Sequence, residues 1–261
     1  MTNYSTTHVV FFSPTGTSAR VARAIAEGIG MGRRIETDLT LDEAVEPVEL
    51  KDSLTIIAVP VYGGRVAPTA LQRIKRLKGT NCPAILVAVY GNRDYEDALV
   101  ELRDETMRLG FTPMTAGAFI GEHSFSTAQY PTAAGRPDDK DLNIARQFGA
   151  DSLAKLEKTA GELTPFFIKG NVPYKELKPG QPVSPISTDD CCGCGVCIDV
   201  CPTHAIQMNE AGDGVETDAN LCIKCCACVK ACPSEARVFD NPFAAFLFNN
   251  FSARREPELF F

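Results

Sequence analysis

Four apolar runs punctuate the first 121 residues, each short, continuous and rich in β-branched side chains. HVVFF (8–12), LTIIAVPVY (54–62), AILVAVY (84–90) and MTAGAFIG (114–121) read as buried strands, because apolar residues fill both faces instead of alternating. A shorter strand is expected near 33–38. Elsewhere the period changes to 3.6: in ARVARAIAEGIG, from Pro68 onward, in EDALVELRDETMRLG, and across 138–158. Strand and helix alternating five times predict a parallel sheet covered by helices on both faces. Ligands of such sheets bind beyond the carboxyl ends of the strands, where the strand order reverses.

Polar chemistry sits in the turns at that edge. Ser13-Pro14-Thr15-Gly16-Thr17-Ser18 joins the first strand to a helix N-terminus, where unpaired N–H groups and the helix dipole favour an anion. No Walker loop and no G-x-G-x-x-G run is present, so four hydroxyls face the anion without a lysine. The plain alternative is an N-capped helix with no ligand. Two further turns, Tyr62-Gly63-Gly64-Arg65 and Tyr90-Gly91-Asn92-Arg93-Asp94-Tyr95, end neighbouring strands.

S-P-T-G-T-S resembles the flavodoxin pattern [ST]-x-T-G-x-[ST], which holds the phosphate of FMN. The resemblance implies an α/β, flavodoxin-like, doubly wound five-stranded sheet in the order 2-1-3-4-5. It also implies a phosphate on Ser13, Thr15, Gly16, Thr17 and Ser18. Pro60, Tyr62, Gly63, Gly64, Tyr90, Gly91, Asn92, Arg93 and Tyr95 would then clasp the isoalloxazine, with Tyr62 and Tyr95 stacking on it. For the three tyrosines, core packing at strand ends is the alternative. The long loop 121–137 starts at the same edge. Its Glu122, His123 and Ser124 are the catalytic candidates, as a proton relay or as a loop-ordering hydrogen-bond cluster.

Ten of the eleven cysteines fall between Cys191 and Cys232. Cys191, Cys194, Cys197 and Cys201 form C-x2-C-x2-C-x3-C closed by Pro202, and Cys222, Cys225, Cys228 and Cys232 repeat it before Pro233. This is the iron–sulfur spacing of bacterial ferredoxins, in which the fourth cysteine of each run serves the other cluster. The expected sets are Cys191, Cys194, Cys197 and Cys232 for one [4Fe–4S] cluster, and Cys222, Cys225, Cys228 and Cys201 for the second. Zinc favours separated C-x2-C pairs, and disulfides favour short secreted domains. Cys192 and Cys226 read as small buried apolar residues.

Composition narrows the classes. In 261 residues, 44% apolar and 23% charged positions are those of an ordinary globular chain, and no run approaches the ~20 apolar residues of a membrane span. The N-terminus has no signal-peptide pattern, so a reducing, cytoplasmic setting is expected. The net charge of −7 is concentrated in 186–240, where nine acids face three bases, which excludes nucleic-acid binding. The expected organisation is a flavodoxin-like domain at 1–158, a proline-rich linker at 159–185, a small α+β ferredoxin domain at 186–240 and an aromatic tail at 241–261. Phe243, Phe246, Leu247, Phe248 and Phe251 would form one face of a short helix, docked on the first domain or, alternatively, in a homodimer contact or on a membrane surface.

Taken whole, the chain resembles single-chain flavodoxin–ferredoxin fusion proteins of anaerobic bacteria and archaea. The resemblance implies FMN, two [4Fe–4S] clusters and electron exchange with an external redox partner protein. The alternative is a flavin-dependent reductase that passes electrons or hydride to a small acceptor such as a quinone or nitro compound.

Overall fold

The computed structural model describes residues 4–159, 162–178 and 180–261. The first three residues and Ala160, Gly161 and Pro179 of the expected linker lie outside the described residues. In chain order the elements are β1 (Thr6–Phe11), α1 (Thr17–Ile29), β2 (Arg33–Asp38), β3 (Val48–Lys51), β4 (Leu54–Tyr62), β5 (Arg65–Val66) and α2 (Pro68–Ile74). They continue with β6 (Leu77–Thr80), β7 (Cys82–Tyr90), α3 (Ala98–Arg108), β8 (Phe111–Ile120) and α4 (Asp139–Lys158). The cysteine-rich part holds β9 (Ile186–Ser187), α5 (Val196–Asp199), β10 (Ile206–Met208), β11 (Val215–Thr217), α6 (Ala227–Ala231) and β12 (Arg237–Val238). Last come α7 (Phe243–Phe251) and β13 (Glu258–Phe260).

The main sheet runs β13-β8-β7-β4-β1-β2, with β5 folded back on β4. Its five parallel strands have the order 2-1-3-4-5 of a flavodoxin-like sheet. Burial explains the order. Every residue of β7 is buried, as a central parallel strand requires, whereas β2, written RRIETD, exposes its charges at an edge. One apolar layer joins Val9, Ile56 and Phe119 to Ile25 of α1 and Phe148 of α4. The other joins Val10, Ile57 and Leu86 to Ile74 of α2 and Leu102 of α3. Helices α1 and α4 meet at glycines: a Cβ on Gly149 would lie 2.1 Å from the Ile25 carbonyl oxygen.

Two expectations need correction. No helix follows β2; residues 39–47 are irregular, and β3 pairs in parallel with β6 as a separate two-stranded sheet. The segment LTLDEAVEPVELK explains this, because its acids and Pro47 leave no apolar face of helical period. The tail adds more than a docked helix, since β13 pairs antiparallel with β8 and closes that edge of the main sheet.

The described part of the linker is extended and pinned to the α/β unit. Asp97, 1% exposed, accepts the N–H groups of Lys175 (2.7 Å) and Asn171 (2.8 Å). Burial opposes its charge, but these bonds and Arg65 hold its carboxyl below the usual range. Tyr174 donates to Asp104, and Lys175 pairs with Glu96 at 2.6 Å. Such pinning restrains the cysteine-rich part against the sheet edge. No helix among the described residues is long and apolar enough to cross a membrane.

Candidate functional site

The carboxyl ends of β1, β4, β7 and β8 open into a cavity of about 560 Å³. Ser13, Thr15, Thr17 and Ser18 form its floor, Pro60, Tyr62 and Gly63 one wall, and Tyr90, Gly91 and Arg93 the next. Glu122, His123 and Ser124 complete the loop side. Distant stretches of sequence therefore meet at one place because parallel strands all end at one edge.

The floor has the chemistry of an anion cradle. Gly16 adopts φ +78°, which turns the chain into α1, and its N–H bonds the Ser13 carbonyl. The first helical hydrogen bond runs from Arg20 N–H to Gly16, so the N–H groups of Thr17 and Ser18 lack intrahelical partners. Ser18 Oγ is buried and has no partner. Ser13 Oγ instead caps the helix by accepting the Ala19 N–H at 3.0 Å. An orphaned hydroxyl, free amides and a helix dipole fit a phosphate monoester, and with it the flavin nucleotide the floor's sequence implied.

Three expected contacts lie elsewhere. Tyr95 is fully buried in the core under α3; its hydroxyl donates to Glu258 at 2.6 Å, so it cannot stack on a ligand in the cavity. Asn92 is 2% exposed, lies outside the cavity lining and donates its amide to the carbonyls of Phe251 and Ala253, while its Oδ1 is buried without a partner. Gly64 is covered by Glu96. In each case a partner distant in sequence stands where the ligand contact was expected.

Tyr90 keeps its place on the wall. Its hydroxyl is buried without a partner, and burial pushes it up to about 12. Gly91 lets the His123 ring rest on the chain, since a Cβ there would lie 2.3 Å from His123 Cδ2. His123 Nδ1 accepts the Phe125 N–H at 3.0 Å, leaving Nε2 as the protonated nitrogen. Burial, then Arg93 and Lys230, push this imidazole down to about 4. The ring is thus a neutral donor near pH 7. Glu122 Oε1 pairs with Lys230 of α6 at 2.6 Å, while Oε2 accepts the Gly135 N–H at 3.1 Å. The 122–124 group therefore orders its loop and ties it to the cysteine-rich part.

A pH prediction follows from His123. Its folded value lies below the ordinary 6.5, so the unfolded chain binds the extra proton and stability rises with pH between about 4 and 6.5. From pH 7 to pH 5 the protein is expected to lose roughly 2 kcal/mol through this residue. Urea unfolding followed by circular dichroism should show His123→Gln without that loss. An identical pH slope in both proteins would sink the assignment.

The cavity is completed by residues to which the sequence assigned no place in it. Phe243, Phe246, Leu247 and Phe251 of α7 line its mouth, so the tail is a wall of the site. Phe243 and Phe246 stack with ring centroids 5.1 Å apart. Ile223 and Lys224 line it from the opposite side, and they stand between Cys222 and Cys225. The Tyr62 hydroxyl faces Ser124; burial first, then Cys225, Cys226 and Cys222, push it well up. Buried Arg73 donates to the carbonyls of Leu39 and Thr40 under the floor and to Pro202 at 2.6 Å. Thr40 Oγ1 in turn accepts the Ser13 N–H at 2.8 Å. Nothing in the local sequence around Arg73 marks this role.

Beyond Tyr62, Cys201 joins Cys222, Cys225 and Cys228 around a small enclosed cavity. The first run's fourth cysteine thus stands with the second run's first three. Burial pushes Cys225 up to about 12 and raises Cys222 and Cys228, so free thiols here stay neutral. These four sulfurs, with Cys226, face one space of low polarity, and they fit a cluster that supplies the positive charge. Cys191 and Cys194 are the cysteines that act on Cys197, and both lie nearer the surface. Cys232 differs: burial raises it, but the Ser234 hydroxyl and the N–H groups of Arg237, Ser234 and Ala236 hold its thiol lower. Among the described residues no three His, Cys, Asp or Glu side chains converge as they would on a single metal ion. Cys226 is buried as expected, whereas Cys192, beside Asp189 and Asp190, is exposed.

Comparison with known proteins agrees with this division. Residues 190–238 match the family model of the 4Fe-4S dicluster domain. The B polypeptide of polysulfide reductase from Wolinella succinogenes is 46% identical over 44 residues, which take in 17% of this protein and 22% of that one. The likeness therefore spans about a fifth of that relative's length. An uncharacterized protein in the rpl9-rpl11 intergenic region of Porphyra purpurea is 28% identical over 61 residues, 22% of this protein and 81% of its own length. Among solved structures, a flavodoxin from the domain Archaea covers 58% of this protein and 99% of its own length, at 16% identity and a TM-score of 0.37. A flavodoxin of Streptococcus pneumonia TIGR4 covers 57% and 97%, at 15% identity and a TM-score of 0.39. The fold class rests on the strand order and not on these two likenesses. The protein combines a flavodoxin-like α/β unit with a ferredoxin-type 4Fe–4S unit.

Proposed function

We propose that the protein passes electrons between FMN, held in the 560 Å³ cavity, and two [4Fe–4S] clusters, and exchanges them with an external redox partner. One observation carries this reading: Ile223 and Lys224 line the flavin cavity while their neighbours Cys222 and Cys225 line the cysteine cage. When bound, FMN takes one or two electrons and each cluster takes one, so the protein adapts one-electron to two-electron traffic.

The residues set the arrangement. Ser18 and the amides of α1 hold the phosphate, and Tyr62 and Tyr90 flank the ring. His123 offers a neutral N–H, and Phe243 and Phe246 keep water from the mouth. Cys201, Cys222, Cys225 and Cys228 hold the cluster beside the flavin. Cys191, Cys194, Cys197 and Cys232 hold the other, which faces outward, since Cys194 is exposed. Lys230 with Glu122, and Arg73 with Pro202, keep the distance between the units constant.

Anaerobic reconstitution should yield one FMN, eight irons and eight sulfides per polypeptide. After rapid mixing with a one-electron donor, flavin and cluster absorbance should equilibrate at a rate independent of protein concentration. A rate proportional to concentration would mean transfer between molecules and would defeat the proposal. The second reading, a small-molecule reductase, is favoured by the Phe243–Phe246 pair, 44% and 47% exposed at the mouth, where a planar acceptor fits. Steady quinone turnover without any partner protein would select it.

A further inference from the structure

The cysteine-rich part contains three cations, and two have plain tasks. Lys230 pairs with Glu122, and Lys224 reaches the Gln181 carbonyl at 2.7 Å. The third, Arg237, is 2% exposed. Its partners are the Ser187 hydroxyl (3.0 Å), the Pro185 carbonyl (2.9 Å) and the Thr217 hydroxyl (2.8 Å), all of them neutral. Its Nε is buried without any hydrogen-bond partner. A guanidinium never deprotonates in a protein, and burying it without a counter-ion costs several kcal/mol. The fold therefore accepts a large penalty unless an anion stands close by.

Two sulfurs supply that anion. Pro185 and Thr217, which Arg237 bonds, line the same small cavity as Cys201, Cys222, Cys225 and Cys228, and its charge acts on Cys197 of the first run and on Cys228 of the second. A thiolate-bound cluster carries net negative charge, and reduction adds one more. A fixed cation beside the cluster favours the reduced form and raises the potential. Because two partners of Arg237 line the cavity of Cys228, the cluster held there benefits more than the one held by Cys197.

Resting on the two-cluster reading above, we propose that Arg237 is the internal counter-ion of the cluster pair. Its buried, permanent charge sets the potential of the cluster beside the flavin cavity above that of the outer cluster. Electrons entering at the outer cluster are then drawn toward the flavin. Arg237 is in this sense a positioning residue for charge and takes part in no bond-making step.

The test is a redox titration of the full, anaerobically reconstituted protein, followed by electron paramagnetic resonance. Cys225→Ser identifies which signal belongs to the inner cluster. Arg237→Gln is expected to shift that cluster's one-electron equilibrium about tenfold toward oxidised, a drop of about 59 mV, with a smaller change in the other. Arg237→Lys keeps the charge but loses the planar fork, and should move the same cluster about threefold. Inner-cluster potentials equal to wild type in an iron-replete variant would overturn the proposal, as would a larger shift in the outer cluster. If the Gln variant assembles no clusters, the Lys variant decides by the same criteria. A wild-type protein with fewer than eight irons would instead refute the two-cluster reading and is seen before any variant is made.

Discussion

Stripping iron and sulfide from the protein is expected to melt residues 186–240 and leave the main sheet folded. The apolar core of that stretch consists of Cys197, Cys201, Ala205, Ile206 and Cys228, with a few half-buried neighbours such as Val200 and Val215. Three of those five residues are expected cluster ligands. The strands around them are two or three residues long, too short to be stable by themselves. Modules of this size need staples beyond a hydrophobic core, and metal ligation then becomes folding energy. Without clusters the cage is left with neutral thiols, and Arg237 with no counter-ion. The two apolar layers of the main sheet share no residue with this core.

Hydrogen exchange followed by mass spectrometry measures this directly. Amides of 206–217 should lose protection by on the order of 100-fold or more, equivalent to a few kcal/mol of local stability. Those of β4 and β7 should change little. Protection in 206–217 that survives complete iron removal would show that the polypeptide holds itself together.

Removing the aromatic wall should weaken FMN binding while sparing the clusters. Phe243, Phe246, Leu247 and Phe251 line the cavity from α7, and α7 is held by contacts made after it. Asn92 grips the Phe251 and Ala253 carbonyls, Arg254 pairs with Asp138 at 2.6 Å, Arg255 donates to the Arg93 carbonyl at 2.6 Å, and β13 pairs with β8. Loss of ~100 Å² of apolar contact costs roughly 2.5 kcal/mol, or about seventy-fold in affinity. The double variant Phe243→Ala/Phe246→Ala tests the wall without disturbing these anchors, by fluorescence titration of the apoprotein with FMN. An unchanged dissociation constant would mean that the wall covers no part of the ligand. Truncation after Pro242 should go further, since it also uncovers Tyr95 and Asn92.

These contacts show where sequence reading stops. The strands β1, β4, β7 and β8 were legible because unbroken apolar runs bounded by turn residues are a local signal. The turn Ser13–Ser18 was legible for the same reason. Asn92 and Tyr95 looked like ligand contacts because their own neighbours said nothing of Ala253 or Glu258, each more than 150 positions away in sequence. Similarly, the expected helix after β2 came from extending a repeat, and Pro47 with its flanking acids broke it.

By itself, the sequence determined the alternation that makes a flavodoxin-like sheet, the turns that meet at its edge, and the two cysteine runs. All of these are properties of short segments, written in spacing and hydrophobic period. Only the tertiary structure decided which cysteine cage borders the cavity, that α7 and β13 belong to the sheet edge, that Arg73 and the Glu122–Lys230 pair bind the parts together, and that Arg237 is buried among neutral partners. The physical reason is that a buried charge is defined by what surrounds it. Those surroundings are assembled from segments that no local pattern connects.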